Sequence, residues 1–248
     1  MVRLWMALIL FGVVPARAQQ AHIVYALSHC EGFLARMNPQ AETVYFFTAG
    51  HCLPSVKVFD NPNNFVTQKD ITPSKEIKVY GASNVQAVQI LTGHYQTADF
   101  AVLKIKQTAS DLKKEGIIPY LIAQQPARLG TAVSVINMDL NETNHCDVEH
   151  YPFQLTFNES VWAWSARLSS SCQLTHGWSG AGVLDSSTQK IYGLIGGGNE
   201  TGDCTDYCQV ERDGSRGGFK SQVYFTRLDF LHQATDSQGV IFPMLLAF

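Results

Sequence analysis

The chain has 248 residues, 46% of them hydrophobic and 16% charged. That is enough apolar material for one large core or two small ones. A formal net charge of −3 with no basic stripe excludes nucleic acid as the expected partner. No apolar run is long enough for a comfortable membrane span, so no membrane partner is expected either.

The first segment in chain order, residues 1–18, reads as a secretory signal peptide. Arg3 gives a positive start, residues 4–14 form an apolar run, and Ala16-Arg17-Ala18 offers a small-x-small cleavage site. The mature chain is therefore expected to be secreted, in an extracellular or periplasmic setting. Short runs rich in Val, Ile, Tyr and Phe follow: HIVYALS, TVYFFTA, EIKVYGA, VQAVQILT and FAVLKIK in the first half. TAVSVINM, SVWAWSARL, AGVLD, KIYGLIG and SQVYFTRL follow in the second. Many short strands separated by polar or glycine-containing stretches predict an all-β sandwich or barrel. Helical periodicity shows only in SDLKKEG, near 110–116, and in TRLDFLHQA, where Leu228, Phe230 and Leu231 share one face.

Residues 116–128 hold two prolines and little alternation, and read as a linker between a barrel at 19–115 and a second at 129–235 with its terminal helix. Each half would carry about six strands, a natural size for a small closed barrel. Residues 236–248 form an apolar tail, for which packing on the body is the simplest reading. Six cysteines, Cys30, Cys52, Cys146, Cys172, Cys204 and Cys208, behind an export signal read as disulfides. Their spacings with the histidines fit no zinc pattern, and neither a metal nor a cofactor is expected. Asn141, Asn158 and Asn199 each open a glycosylation triplet.

Acyl transfer by a serine needs a base for its proton, an acid to orient that base, two N–H donors for the oxyanion and room for a substrate. His51 ends an apolar strand in TVYFFTAGHC. Asp99 precedes another in TADFAVLKI, where burial would demand a hydrogen-bond partner. Ser179 lies in Gly177-Trp178-Ser179-Gly180-Ala181-Gly182, whose small residues would clear the approach, while the N–H groups of Gly177 and Ser179 would serve as the two donors. Each motif alone is weak. The order His, Asp, Ser, with cysteines about the histidine, is specific.

On these residues the chain resembles the chymotrypsin-like, trypsin-fold serine peptidases. TAGHC is similar to the family's TAAHC, ADFAVLKI to its D-x-A-[LV], and GWSGAGVL to its GDSGGP, with the likeness running over roughly 28–235. The resemblance implies two six-stranded antiparallel β-barrels packed perpendicular, a short C-terminal helix, and a triad of Ser179 as nucleophile, His51 as base and Asp99 as its support. It implies that Cys30 and Cys52 clip the histidine loop. It places substrate along Gly196, Gly197 and Gly198 and beside Gln173 and Leu174. The implied partners are a polypeptide substrate and a protein inhibitor, and the implied state is a monomer.

Two departures bear on mechanism. Trp178 stands where zymogen-type members carry an aspartate, and no Ile-Val-Gly-Gly precedes Cys30, so the oxyanion turn is expected to be held by something other than a new N-terminal amine, with the Trp178 ring as candidate. Gln173 stands where trypsin-type members carry an acid, so a Lys or Arg preference is not supported. Beyond the first pair, the cysteines allow Cys146–Cys172 with Cys204–Cys208, or Cys172–Cys204 with Cys146–Cys208. The function expected is a secreted serine endopeptidase. The alternative is a catalytically silent homologue acting as a secreted binding module, against which the intact His51, Asp99 and Ser179 argue.

Overall fold

The computed structural model describes residues 23–24, 30–53, 66–79, 85–94, 98–137, 141–157, 160–174, 177–200, 202–204 and 207–242. The expected signal segment, the end of the apolar tail and Asn158 lie outside them. Among the described residues, no helix is long and apolar enough to cross a membrane.

The fold is all-β. Its first half comprises β1 (Ile23–Val24), β2 (Gly32–Arg36), β3 (Thr43–Thr48), β4 (Val66–Val79), β5 (Val85–His94) and β6 (Phe100–Thr108). They run β1-β4-β5-β6-β3-β2, each pair antiparallel. The apolar runs of β2, β3 and β6 are buried on both faces, which is why they show no polar alternation. Leu34, Val44, Phe46, Ala101 and Leu103 share one cluster. Their sequence neighbours Phe33, Tyr45, Phe47, Phe100 and Val102 point the other way into a second, shared with Leu184, Ile191, Leu194 and Phe230 of the other half. This second cluster welds the halves together. A helix, α1 (Ala109–Lys114), follows β6 and opens on a capping box between Thr108 and Asp111.

The expected linker is not irregular throughout. Within it β7 (Tyr120–Ile122) pairs parallel with β2 and parallel with a strand of the second half, so the antiparallel expectation fails at this seam. A parallel neighbour needs a long crossover, and the chain on either side of β7 supplies it.

The second half closes on itself. β8 (Ala132–Asn137), β9 (Glu142–His150), β12 (Ser165–Leu168), β13 (Gly182–Asp185), β14 (Lys190–Asn199) and β17 (Gln222–Arg227) follow one another as β14-β13-β8-β9-β12-β17, and β17 pairs back onto β14. A separate four-stranded sheet, β11-β10-β15-β16, stands beside this barrel, formed by β10 (Gln154–Phe157), β11 (Ser160–Trp162), β15 (Tyr207–Val210) and β16 (Arg216–Gly217). SVWAWSARL is thus two strands in two sheets. Its tryptophans pull apart: Trp162 packs with Phe157 and Tyr207, and Trp164 with Phe230, 5.1 Å between ring centroids.

The C-terminal helix is a 3₁₀ helix, Asp229–Ala234, with Phe230 and Leu231 buried. Beyond it the chain turns back: Thr235 bridges to Ile241, whose N–H donates to the Tyr45 hydroxyl at 3.1 Å. The disulfides are Cys30–Cys52, Cys146–Cys172 and Cys204–Cys208, the first of the two arrangements left open by the sequence.

Candidate active site

The β3–β6 register brings the first two residues together. Thr48 pairs with Ala101, so the chain leaving β3 meets the chain entering β6. His51 leaves β3 on the 3₁₀ turn Gly50–Cys52, which the Cys30–Cys52 disulfide tethers. Asp99 is wholly buried. Its Oδ1 accepts the His51 backbone N–H at 2.9 Å, and its Oδ2 lies 2.7 Å from His51 Nδ1. A carboxylate only accepts, so Nδ1 carries the proton and Nε2 is left as the basic lone pair. Thr226 Oγ donates to the Asp99 carbonyl at 3.3 Å, anchoring the aspartate to β17 of the second half. Burial pushes the His51 imidazole toward its neutral form, but the Asp99 charge and its hydrogen bond outweigh this and hold the pKa above the ordinary histidine value.

Ser179 reaches the same place from the other half. Its carbonyl accepts the Glu31 N–H at 2.7 Å, and the Glu31 carbonyl accepts Thr48 Oγ at 2.7 Å. The serine turn is thereby strung to the end of β3, next to His51. His51 and Ser179 line one cavity of about 790 Å³.

The small residues around the serine serve a purpose different from the one expected. A side chain on Gly180 would collide with the Glu31 carbonyl and lie 2.7 Å from Thr48 Oγ, and one on Gly182 would press on Ile191 and Phe33. Ala181 is fully buried. Gly180 and its neighbours therefore let the two halves close on each other, rather than clearing a path for substrate. Gly180 also has φ +85°, which L side chains rarely adopt. Trp178 is buried in the core of the second barrel with Cys146, Cys172, Val183 and Phe225, so the ring expected to brace the turn is seated in that core.

The residues expected to bind substrate, Gln173, Leu174, Gly196, Gly197 and Gly198, all line the cavity. Thr175 and His176 lie outside the described residues. Sequence reasoning missed Phe157 and Tyr207, which also line it, stacked at 4.5 Å. The Tyr207 hydroxyl occupies the space a Gly197 side chain would need. It also missed Asn137, which holds the Gly177 carbonyl, and Thr226. The only hint was polarity: a threonine inside the apolar VYFTR run must find a partner if buried.

Among the described residues, one grouping has the makings of a metal site, Cys30, His51 and Cys52. Both sulfurs are joined in the disulfide, which leaves the imidazole as the single ligand. Asn199 is 1% exposed and its amide nitrogen donates to the Asp203 and Tyr207 carbonyls at 2.8 and 2.7 Å. The folded chain therefore does not offer that triplet to a glycan. Asn141 is exposed.

No family model and no curated protein matches the chain. Among solved structures, it is similar to the Nocardiopsis protease NAPase, at 13% identity over 84% of this chain and 89% of that one, with a TM-score of 0.48. It is similar to the MamO protease domain from Magnetospirillum magneticum at 11% identity, covering 85% and 93%, with a TM-score of 0.48. To Thermobifida fusca protease A it is 17% identical, covering 84% and 89%, with a TM-score of 0.46.

Proposed function

We propose that the chain is a serine endopeptidase working through His51, Asp99 and Ser179. The observation that carries the reading is the buried Asp99 carboxylate, bonded twice to His51, beside a cavity that His51 shares with Ser179. A buried carboxylate is costly unless it is compensated, and here the compensation fixes the one tautomer that leaves Nε2 free to take a proton.

In the proposed reaction, Ser179 Oγ attacks the scissile carbonyl as His51 Nε2 takes its proton. The N–H groups of Gly177 and Ser179 receive the oxyanion. His51 then protonates the leaving amine, the C–N bond breaks, and an acyl-enzyme remains. Water, deprotonated by the same imidazole, releases the acid and restores the serine. Asp99 supports the imidazolium throughout. The substrate backbone would lie along Gly196–Gly198, with a side chain toward Gln173 and Leu174. Among the described residues, the cavity lining holds no lysine or arginine and one carboxylate, that of the exposed Glu200. Three disulfides are compatible with an oxidising, extracellular setting.

A peptide-library digest tests the reading. The full-length protein is expected to cleave internal peptide bonds with a defined preference, and Ser179→Ala to abolish the cleavage. Undiminished cleavage by Ser179→Ala, or none by folded wild type, would contradict it.

A further inference from the structure

The turn that presents Ser179 has three consecutive carbonyls, and each has a partner. The Trp178 carbonyl accepts the Ala181 N–H at 3.0 Å and the Ser179 carbonyl accepts the Glu31 N–H at 2.7 Å. Both donors are backbone groups. The Gly177 carbonyl differs: its donor is a side chain, Asn137 Nδ2, at 3.0 Å. Gly177 has φ +95°, and glycine is the residue with the most backbone freedom. Its carbonyl lies in the peptide plane between the two planes that carry the proposed oxyanion donors, so a rotation there would disturb both.

Asn137 is well placed to prevent that rotation. It is fully buried and is the last residue of β8. β8 pairs with β13 through Val135–Val183 and Ser134–Leu184, and β13 begins directly after the serine turn. The anchor and the anchored turn therefore stand on adjacent strands of one barrel. Trp178, seated in the core, fixes its own position by packing, while the Gly177 carbonyl is held by Asn137.

We propose that Asn137 is a positioning residue for the hydrolysis, and the assignment rests on the endopeptidase reading. Its amide pins the peptide plane between Gly177 and Trp178, which links the two planes that carry the Gly177 and Ser179 N–H groups, so that both donors are held in line before substrate arrives. Pre-aligned donors act on the transition state more than on the bound substrate.

The test compares full-length wild type with Asn137→Ala and Asn137→Asp, the latter keeping the shape but replacing the donor with an acceptor. Steady-state kinetics on a peptide amide are expected to show kcat lower by roughly 100-fold in both variants, with KM within about 3-fold of wild type. Affinity for a peptide boronate, which mimics the tetrahedral species, is expected to fall with kcat, while affinity for a product peptide does not. Thermal melts establish that each variant is folded, and Asn137→Asp decides if Asn137→Ala is not. Variants that keep wild-type kcat, or that lose kcat and product affinity together, would overturn the assignment while leaving the endopeptidase reading intact. Failure of both variants to fold would overturn it too, making Asn137 a folding residue. A folded wild type with neither turnover nor boronate binding would remove the endopeptidase reading, and this assignment with it.

Discussion

His51 holds a proton on Nδ1 and, in the proposed mechanism, receives one on Nε2, so its protonation sets the pH dependence. The protonated ring cannot act as base. Asp99 holds the pKa above the ordinary value near 6.5, so the acid limb of kcat/KM is expected to have its midpoint above about 6.5. The same shift affects stability in the opposite direction. A raised folded-state pKa stabilises the fold below the unfolded value, and that contribution is lost as pH rises through the folded value. Activity should therefore climb over the range in which this stabilising contribution fades. Asp99→Asn is expected to lower kcat about 10⁴-fold, by leaving the imidazole in the wrong tautomer. A pH–rate series on wild type and this variant checks both, and a flat profile would count against His51 as base.

Elements depend on local polar networks as much as on apolar faces, and the β13–β14 turn shows it. Asp185 Oδ1 accepts the Ser187 N–H, the Ser187 hydroxyl and the Thr188 N–H at 2.8, 2.6 and 2.8 Å, and Oδ2 accepts the Tyr192 hydroxyl at 2.7 Å. Burial pushes the carboxyl up, but the Ser187 and Tyr192 hydroxyls and the two backbone N–H groups outweigh this and hold it well below the usual carboxylate range. The sign is that of a depressed acid: the stabilisation is present above the unfolded value near 4 and is lost as pH falls below it. Asp185→Asn is expected to cost about 2 kcal/mol at neutral pH, and urea melts at falling pH should show the gap to wild type closing.

The partners of Asp185 are local, all within seven residues of it in sequence. His51, Asp99 and Ser179 could be picked out as the proposed triad because serine acyl transfer demands particular residue types inside short motifs. The apolar runs of β3, β6 and β17 were legible because both of their faces are buried. β9 was not: ETNHCDVEH buries only Cys146 and Val148 and reads as a loop. The β10–β16 sheet was missed because its strands are two to four residues long, and β7 because a three-residue seam strand carries no period. Asn137 and Gly177 lie 40 residues apart, and no local pattern joins them. Gly180 of the serine motif was recognised but misread, because its neighbours Glu31 and Thr48 come from the other half.

At the scale of the whole molecule the C-terminal segment acts as a clasp on the first half. Ile241 is 3% exposed and packs in the cluster that joins the halves, while the Tyr45 hydroxyl donates to the Gly239 carbonyl at 3.2 Å and accepts from Ile241. Burial pushes the Tyr45 phenol up to about 12. Ile241→Ala is expected to cost about 3 kcal/mol, read from denaturant melts. Deleting residues 236–248 should also let Tyr45 titrate nearer its ordinary value, read by ultraviolet absorbance. An unchanged melt would mean that the clasp contributes nothing.

The two halves meet where His51 and Ser179 share a cavity, and the proposed hydrolysis requires the two to act together. The most direct measurement treats the folded, full-length protein with a fluorophosphonate and maps the adduct by peptide mass spectrometry. A single adduct is expected on Ser179, lost in His51→Ala and lost on unfolding. Folded wild-type protein that takes up no label, or that carries it on a serine other than Ser179, would contradict the proposed hydrolysis.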